Sequence, residues 1–74
     1  MKVNTRALLQ LAEDRGWSIP HLASRLGIDY SYLFRVLHNE KKGGVKLLEA
    51  IYKFCQEEGL PVDDYLEFEY TRKY

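Results

Sequence analysis

The chain has 74 residues, of which 46% are hydrophobic and 30% are charged, and its formal net charge is zero. This length accommodates one domain with a single core, and apolar runs of two or three residues are too short to span a membrane. Cys55 is the only cysteine, which excludes an internal disulfide bond and a structural zinc site. Because the chain opens on a polar, amphipathic segment without the pattern of a signal peptide, we expect a cytoplasmic protein.

The charge is distributed unevenly along the chain. Residues 1–42 contain seven Lys and Arg against four Asp and Glu, a net of +3, whereas residues 43–74 contain four against seven, a net of −3. Nucleic-acid-binding proteins neutralise phosphates and are usually basic, so the zero total argues against such a partner. The asymmetry weakens that objection, because it gives the first half of the chain the charge that suits an anion.

Periodicity and capping residues predict two helices in the first third of the chain. The first covers about residues 5–15 and ends at Gly16. The second starts at the N-cap Ser18, carries Pro20 in its first turn and ends at Gly27, for which we expect a positive φ. Their apolar faces are Ala7, Leu8, Leu11 and Ala12 in the first helix and Leu22, Ala23 and Leu26 in the second.

Two further helices are predicted on either side of a loop at residues 39–44. The third begins after the N-cap Asp29 and runs to about Leu37 or His38, and the fourth covers about residues 45–58 and closes at Gly59. Their apolar stripes are Leu33, Val36 and Leu37 in the third helix and Val45, Leu48, Ile51, Tyr52 and Cys55 in the fourth. The stripe places Cys55 among buried residues, as a structural thiol rather than a nucleophile.

Residues 61–74 allow two interpretations. Residues 62–68 could form a short fifth helix after Pro61, whereas residues 66–71 alternate apolar and polar as a strand does. We expect a short helix followed by an extended end. The fold class is therefore predicted as all-α, a compact single domain of four to five helices over residues 1–74 with its core at about residues 5–60.

Residues 18–37 meet the requirements of two helices that cross steeply through a short turn. The first helix needs a small residue where the second presses on it, the turn needs a residue that tolerates positive φ, and an apolar side chain must fill the turn. Ala23, Gly27 and Ile28 supply these in order. The spacing predicts a helix-turn-helix whose second helix runs from about Tyr30 to His38.

This segment resembles the helix-turn-helix of the phage repressor and Cro family. The matching residues are Leu22-Ala23, Leu26-Gly27-Ile28, Ser31-Tyr32-Leu33 and Arg35-Val36. The resemblance covers about residues 5–60 and implies a lambda-repressor-like fold and sequence-specific binding of double-stranded DNA. It further implies a transcriptional regulator, a repressor of phage or mobile-element type. It also implies a homodimer on a pseudo-palindromic operator, with the end of the fourth helix and the tail as interface; alternatively, the tail folds back on its own core.

The chain departs from this family at three positions. Ile19 stands where many members carry a polar residue, often glutamine, after the N-cap, which removes a phosphate or base-supporting contact. Ala12 and Leu37 stand where some members pair a buried arginine with a glutamate. An apolar pair can replace a buried ion pair without loss of stability, so the expected fold is unaffected.

A helical wheel with Leu33 at its core-facing centre puts Ser31, Arg35 and His38 on the opposite side, with Tyr30 at the N-terminus of the helix. In this motif, residues near that N-terminus enter the major groove. Arg35 could bind guanine O6 and N7 with two hydrogen bonds. With equal weight, it could be a solvated side chain or one bonded to Asp29 or to a phosphate.

The other candidates have structural alternatives too. Ser31 could bond a base, a phosphate or its own backbone, and Tyr30 could contact a thymine methyl, bond a phosphate or cover the turn. Tyr32 could reach a phosphate, although packing on the preceding helix is favoured, and partial burial is favoured for Phe34. His38 could contact DNA, although an interaction with the C-terminal dipole of the helix is favoured.

Backbone contacts are expected from two further places. Lys41 and Lys42, beside Gly43 and Gly44, would bind phosphates in the manner of the family's loop, with a solvated loop as the alternative. The helix N-terminus at Ser18 would also point at a phosphate.

No pattern in the sequence indicates an enzyme, a cofactor or a metal site. It has no phosphate-binding loop, no Cys/His arrangement and no paired-carboxylate pocket. The serious alternative is a protein-binding module on the same fold, such as an antitoxin or an anti-repressor adaptor. Its partner would bind the C-terminal half, which is acidic and carries Tyr65, Phe68, Tyr70 and Tyr74.

Overall fold

A computed structural model describes residues 2–38 and 43–67, and this part of the chain is mostly helical. It contains α1 (Thr5–Asp14), α2 (Ile19–Leu26), α3 (Tyr30–Leu37) and α4 (Val45–Glu58). A short strand, β1 (Lys2–Val3), precedes α1, and a 3₁₀ turn (Val62–Asp64) and β2 (Leu66–Glu67) follow α4. No helix in residues 2–38 and 43–67 combines the length and the apolar character needed to cross a membrane.

Side chains at the helix starts explain why the predicted boundaries agree with the observed ones. Three caps accept a hydrogen bond from a backbone N–H of the first turn, each at 3.2 Å: Asn4 Oδ1 from Ala7, Ser18 Oγ from His21, and Asp29 Oδ2 from Tyr32. Each bond satisfies an amide that has no partner inside its helix. At the other end of α2, Gly27 has a φ of 74°, as predicted.

The core is formed by all four helices and by β2. Its buried members are Leu8, Leu11, Ala12, Leu22, Ala23, Leu26, Leu33, Val36, Leu37, Leu47, Ile51, Phe54, Cys55 and Leu66. The apolar faces predicted for α2 and α3 are confirmed in full, and in α1 only Ala7 is half-buried rather than buried. Ala12 and Leu37 both belong to this core, as expected of an apolar pair.

The predicted stripe of α4 is wrong in part. Val45 and Tyr52 retain 70% and 51% of their surface, whereas Leu47 and Phe54 are buried in their place. The buried set of α4 follows a spacing of i, i+4, i+7 and i+8 from Leu47, which puts it on one face at about 100° per residue. The helix carries apolar residues on two sides, and periodicity alone does not say which side packs inward.

The tail combines both predicted interpretations in shortened form. The 3₁₀ turn ends at Asp64, so it is shorter than the helix over residues 62–68 that the sequence allows. β2 then pairs antiparallel with β1, with Val3 opposite Leu66. Leu66 is buried and Tyr65 packs against the core, so this part of the tail folds back on its own domain. Phe68, Tyr70 and Tyr74 lie outside the described residues.

Candidate nucleic-acid interface

The orientation of α3 is set by its packing on α2. Leu33 is completely buried, and Val36 and Leu37 are nearly so. The turn at residues 27–29 closes when the N–H of Ile28 donates to the carbonyl of Ala23 at 3.0 Å, and Ile28 itself packs against the core. With its inner side fixed in this way, α3 must present its other side to solvent.

We call this outer side the α3 face and define it by Tyr30, Ser31, Phe34, Arg35 and His38, all exposed. The four members that the helical wheel selected therefore lie on one surface. Tyr30, Ser31, Phe34 and Arg35 line a shallow groove of about 340 Å³. Phe34, for which the sequence favours partial burial, retains 37% of its surface and belongs to the same surface.

Three rings run along the α3 face at intervals of one helical turn. The ring centres of Tyr30 and Phe34 lie 5.9 Å apart, and those of Phe34 and His38 lie 4.0 Å apart with the planes 23° from parallel. His38 Nδ1 is 2.9 Å from the carbonyl oxygen of Phe34, a bond in which the ring nitrogen must donate because the oxygen only accepts. This contact supports the structural role that the sequence favours for His38.

Arg35 forms no hydrogen bond and no ion pair with any of the described residues. The alternative in which it binds Asp29 is not observed, since the Asp29 carboxylate caps α3 at the Tyr32 N–H. An exposed guanidinium keeps five N–H donors in a planar fork, which suits paired acceptors such as guanine O6 and N7 or phosphate oxygens.

Tyr32 is engaged inside the protein. Its ring is half-buried against the core, and its hydroxyl accepts a hydrogen bond of 2.9 Å from the N–H of Gly44. The residue thus joins α3 to the start of α4, so this hydrogen bond is made to α4 and not to the preceding helix that the sequence favours.

The expected backbone contacts are placed only in part. Ser18 is exposed, and its Oγ accepts from the His21 N–H, which leaves the hydroxyl hydrogen able to donate. Lys41 and Lys42 lie outside the described residues. A Cβ on Gly43 would lie 2.9 Å from Val3 Cγ2 and 3.0 Å from Leu47 Cδ2, so this glycine permits close packing within the protein itself.

A second cluster of aromatic and charged residues was not predicted from the sequence. We call it the Trp17 cluster; it consists of Arg15, Trp17, His21, Arg25 and Glu58. His21 stacks on Trp17 with ring centres 5.1 Å apart and planes 5° from parallel. The guanidinium carbons of Arg15 and Arg25 lie 5.2 and 5.1 Å from the centre of the Trp17 ring. The cluster joins the end of α1 to α2 and to the end of α4.

Glu58 forms ion pairs with both arginines of the Trp17 cluster. Arg15 Nη1 lies 2.6 Å from Glu58 Oε1, and Arg25 Nη2 lies 2.9 Å from Oε2. The hydrogen bond from Arg15, together with the positive charges of Arg15 and Arg25, lowers the pKa of Glu58 below its usual range, against a smaller opposing effect of desolvation. Two of the seven basic residues in the first half of the chain are therefore committed to internal contacts.

Cys55 is buried in the core, and burial, followed by the charge of Asp64, raises the pKa of its thiol. Within residues 2–38 and 43–67, no three His, Cys, Asp or Glu side chains are grouped so that they could hold a metal ion.

Comparison of the chain with protein-family models, with curated proteins and with solved structures found no significant match. The function is therefore inferred from the side chains themselves.

Proposed function

We propose that this protein binds double-stranded DNA in a sequence-specific manner, as a helix-turn-helix domain formed by α2 and α3. The observation that carries the proposal is the α3 face, where Arg35 has no partner among the described residues and stands beside Tyr30 and Ser31. A helix with one buried and one polar, exposed side fits the width of the major groove. The cellular role we propose is a cytoplasmic transcriptional regulator, a repressor of phage or mobile-element type, rather than an enzyme.

Each member of the interface has a distinct role in this proposal. Arg35 binds guanine O6 and N7, and a good bidentate contact contributes about 1–3 kcal/mol of discrimination. Ser31 and Tyr30 contact the bases nearest the start of α3. Lys41, Lys42 and the Ser18 end of α2 hold the phosphate backbone and fix the register without selecting a sequence.

We further propose that the protein acts as a homodimer on a pseudo-palindromic operator. One domain reads only a few base pairs, and a two-fold axis doubles the contacts, with half-sites spaced by about 34 Å. Deleting residues 61–74 is a poor test of the interface, because the deletion also removes the core residue Leu66. Sedimentation of the full chain, alone and with a selected duplex, measures the stoichiometry directly.

The decisive experiment is selection from random duplexes at low salt, followed by titration of the enriched site at several salt concentrations. The test variant is Arg35→Ala, and the charge-matched control is Arg25→Ala, whose guanidinium is held by Glu58 and Trp17. We expect Arg35→Ala to lower affinity about 10- to 100-fold and to abolish preference at one base pair. We expect Arg25→Ala, held below its melting temperature, to bind as the wild type does.

The result that contradicts the proposal is enrichment of no sequence, with binding that disappears near physiological salt. Equal losses in Arg35→Ala and Arg25→Ala would instead show that only the total charge matters, since non-specific binding depends on counterion release. In that case Arg35 has no role in reading bases.

One observation favours a second candidate, a protein-binding module. Val45 and Tyr52 expose 70% and 51% of their surface on α4, and apolar exposure of this kind suits a protein partner better than a polyanion. The two candidates differ in their response to salt, because binding through these side chains would be nearly independent of ionic strength.

A further inference from the structure

We propose that Phe34 determines specificity on the α3 face by contacting the 5-methyl group of a thymine next to the guanine bound by Arg35. The inference rests on the proposed DNA-binding function and deepens it. It assigns a dinucleotide step, rather than a single base pair, to the centre of the recognition helix.

The first argument is the exposure of the Phe34 ring. Phe34 retains 37% of its surface in the middle of α3, whereas its apolar neighbours Leu33 and Val36 are buried. Its ring–ring pairs among the described residues are with Tyr30 and His38, which are themselves exposed. A partly exposed phenylalanine outside the core cluster offers apolar surface to whatever α3 binds.

The second argument is that the ring is held in place. His38 stacks on it at 4.0 Å, and the hydrogen bond from His38 Nδ1 to the Phe34 carbonyl holds the stacking partner. A side chain that is already confined loses less conformational entropy when it meets a ligand. The surface that remains uncovered belongs to the groove completed by Tyr30, Ser31 and Arg35.

The third argument is chemical complementarity. Among the base edges in the major groove, the thymine methyl is the one apolar group, and guanine presents two acceptors in a row. The groove on the α3 face combines an apolar ring with a guanidinium on the next residue. Base pairs stack at about 3.4 Å, so side chains of neighbouring residues can reach neighbouring pairs. The matching target is a step that contains guanine and thymine side by side.

The test removes the methyl group and nothing else. In the duplex selected with the wild-type protein, each thymine is replaced singly by uracil, which keeps every hydrogen-bonding group. We expect one position, adjacent to the guanine identified with Arg35→Ala, where uracil weakens binding about fourfold, the value that corresponds to ~0.8 kcal/mol for one buried methyl-sized group. Phe34→Ala should bind the thymine and uracil duplexes equally, and circular dichroism should show that it folds.

Tyr52→Ala is the control, because Tyr52 is an exposed ring on α4, outside the α3 face. It should retain the thymine preference. The inference is overturned if the wild-type protein binds its selected site but no uracil weakens binding, or if the preference survives Phe34→Ala or is lost equally in Tyr52→Ala; in each of these cases sequence-specific DNA binding stands. If no duplex is enriched at all, the proposed function fails, and this inference fails with it.

Discussion

The Trp17 cluster and the α3 face contain the same kinds of side chain in opposite states. Each has aromatic rings, a histidine and at least one arginine. In the Trp17 cluster, both arginines lie over an indole ring and bind Glu58. On the α3 face, rings stack on rings, and Arg35 has no ion pair with any described residue.

The difference separates a stabilising role from a binding role. The partners in the Trp17 cluster come from different helices, so the contacts hold α1, α2 and α4 together. The ring contacts of the α3 face are all within one helix, and they add little to the tertiary structure. Two surfaces of similar composition can therefore have different roles. What separates them is whether their polar groups already have partners within the protein.

The largest expected effect tests this contrast by deleting one ring on each side. Trp17→Ala removes a half-buried indole that also meets Phe54 edge to face at 6.3 Å, and we expect a loss of about 2–4 kcal/mol in the free energy of unfolding. Phe34→Ala removes a ring outside the core and should lower stability by less than about 1 kcal/mol. Urea denaturation of the two variants measures both values.

Equal losses in Trp17→Ala and Phe34→Ala would remove the distinction between the two regions. They would mean that the rings of the α3 face contribute to the fold as the Trp17 cluster does. A loss confined to Trp17→Ala supports the assignment of stability to one region and binding to the other.

The second prediction concerns Gly27, which links α2 of the Trp17 cluster to α3. Its φ of 74° lies in the left-handed region, where a Cβ is strained even though no atom lies within 4 Å of it. We expect Gly27→Ala to lower stability by about 1–2 kcal/mol, which corresponds to a melting temperature about 4–16 °C lower in a domain of this size. Gly44, with a φ of −89° and a nearest neighbour at 3.6 Å, is the matched control.

If Gly27→Ala and Gly44→Ala melt at the same temperature, the left-handed conformation of Gly27 adds no measurable strain to an alanine there. A selective loss in Gly27→Ala shows that the turn requires this conformation. Binding measured well below the melting temperature then reports whether this conformation matters for the α3 face.

Predictions from local chemistry succeeded at the helix ends. Ser18 and Asp29 cap the helices that follow them, and Gly27 and Gly59 close helices with positive φ, because these preferences depend on a few neighbouring residues. The outer side of α3 was also correctly placed, since its inner stripe is unambiguous. For the same reason, the wheel identified four of the five residues of the α3 face.

Predictions failed where distant parts of the chain decide the outcome. The side of α4 that packs inward depends on the other helices, so the periodicity predicts Tyr52 in the core, whereas Phe54 is the ring that is buried. The Trp17 cluster depends on Glu58, which is 43 residues from Arg15 and 33 from Arg25. No spacing rule connects residues that far apart, although two arginines near a single tryptophan are a signal worth testing.

The third prediction compares single arginines in the two regions by thermal unfolding. Arg25→Ala removes a cation–π contact and an exposed ion pair, each of which contributes up to about 1 kcal/mol at partly exposed sites. We expect a loss of about 0.5–1 kcal/mol. Arg35→Ala removes no hydrogen bond or ion pair to the described residues and should change stability by less than about 0.5 kcal/mol. A larger loss in Arg35→Ala would contradict the view that Arg35 is available to a ligand.

The smallest expected effect is a dependence of stability on pH that originates in Glu58. Its pKa is lower in the folded protein than in the unfolded chain, where a glutamate titrates near about 4.3. The unfolded state therefore binds the proton more readily, and the stabilisation is present above that value and is lost as the pH falls through the folded pKa. We expect Glu58→Gln to melt below the wild type at pH 6–7 and the difference to shrink as the pH falls below about 4.

Glu57→Gln is the matched control, because Glu57 is exposed on the same turn of α4 and forms no ion pair with a described residue. Its melting temperature should follow that of the wild type at every pH. If Glu57→Gln and Glu58→Gln show the same pH profile, the ion pairs with Arg15 and Arg25 add nothing measurable. The aromatic contacts of Trp17 would then account for the whole stabilising effect of that cluster. The Trp17 cluster and the α3 face would differ in the contacts of their aromatic rings and not in a stabilising effect of ion pairs.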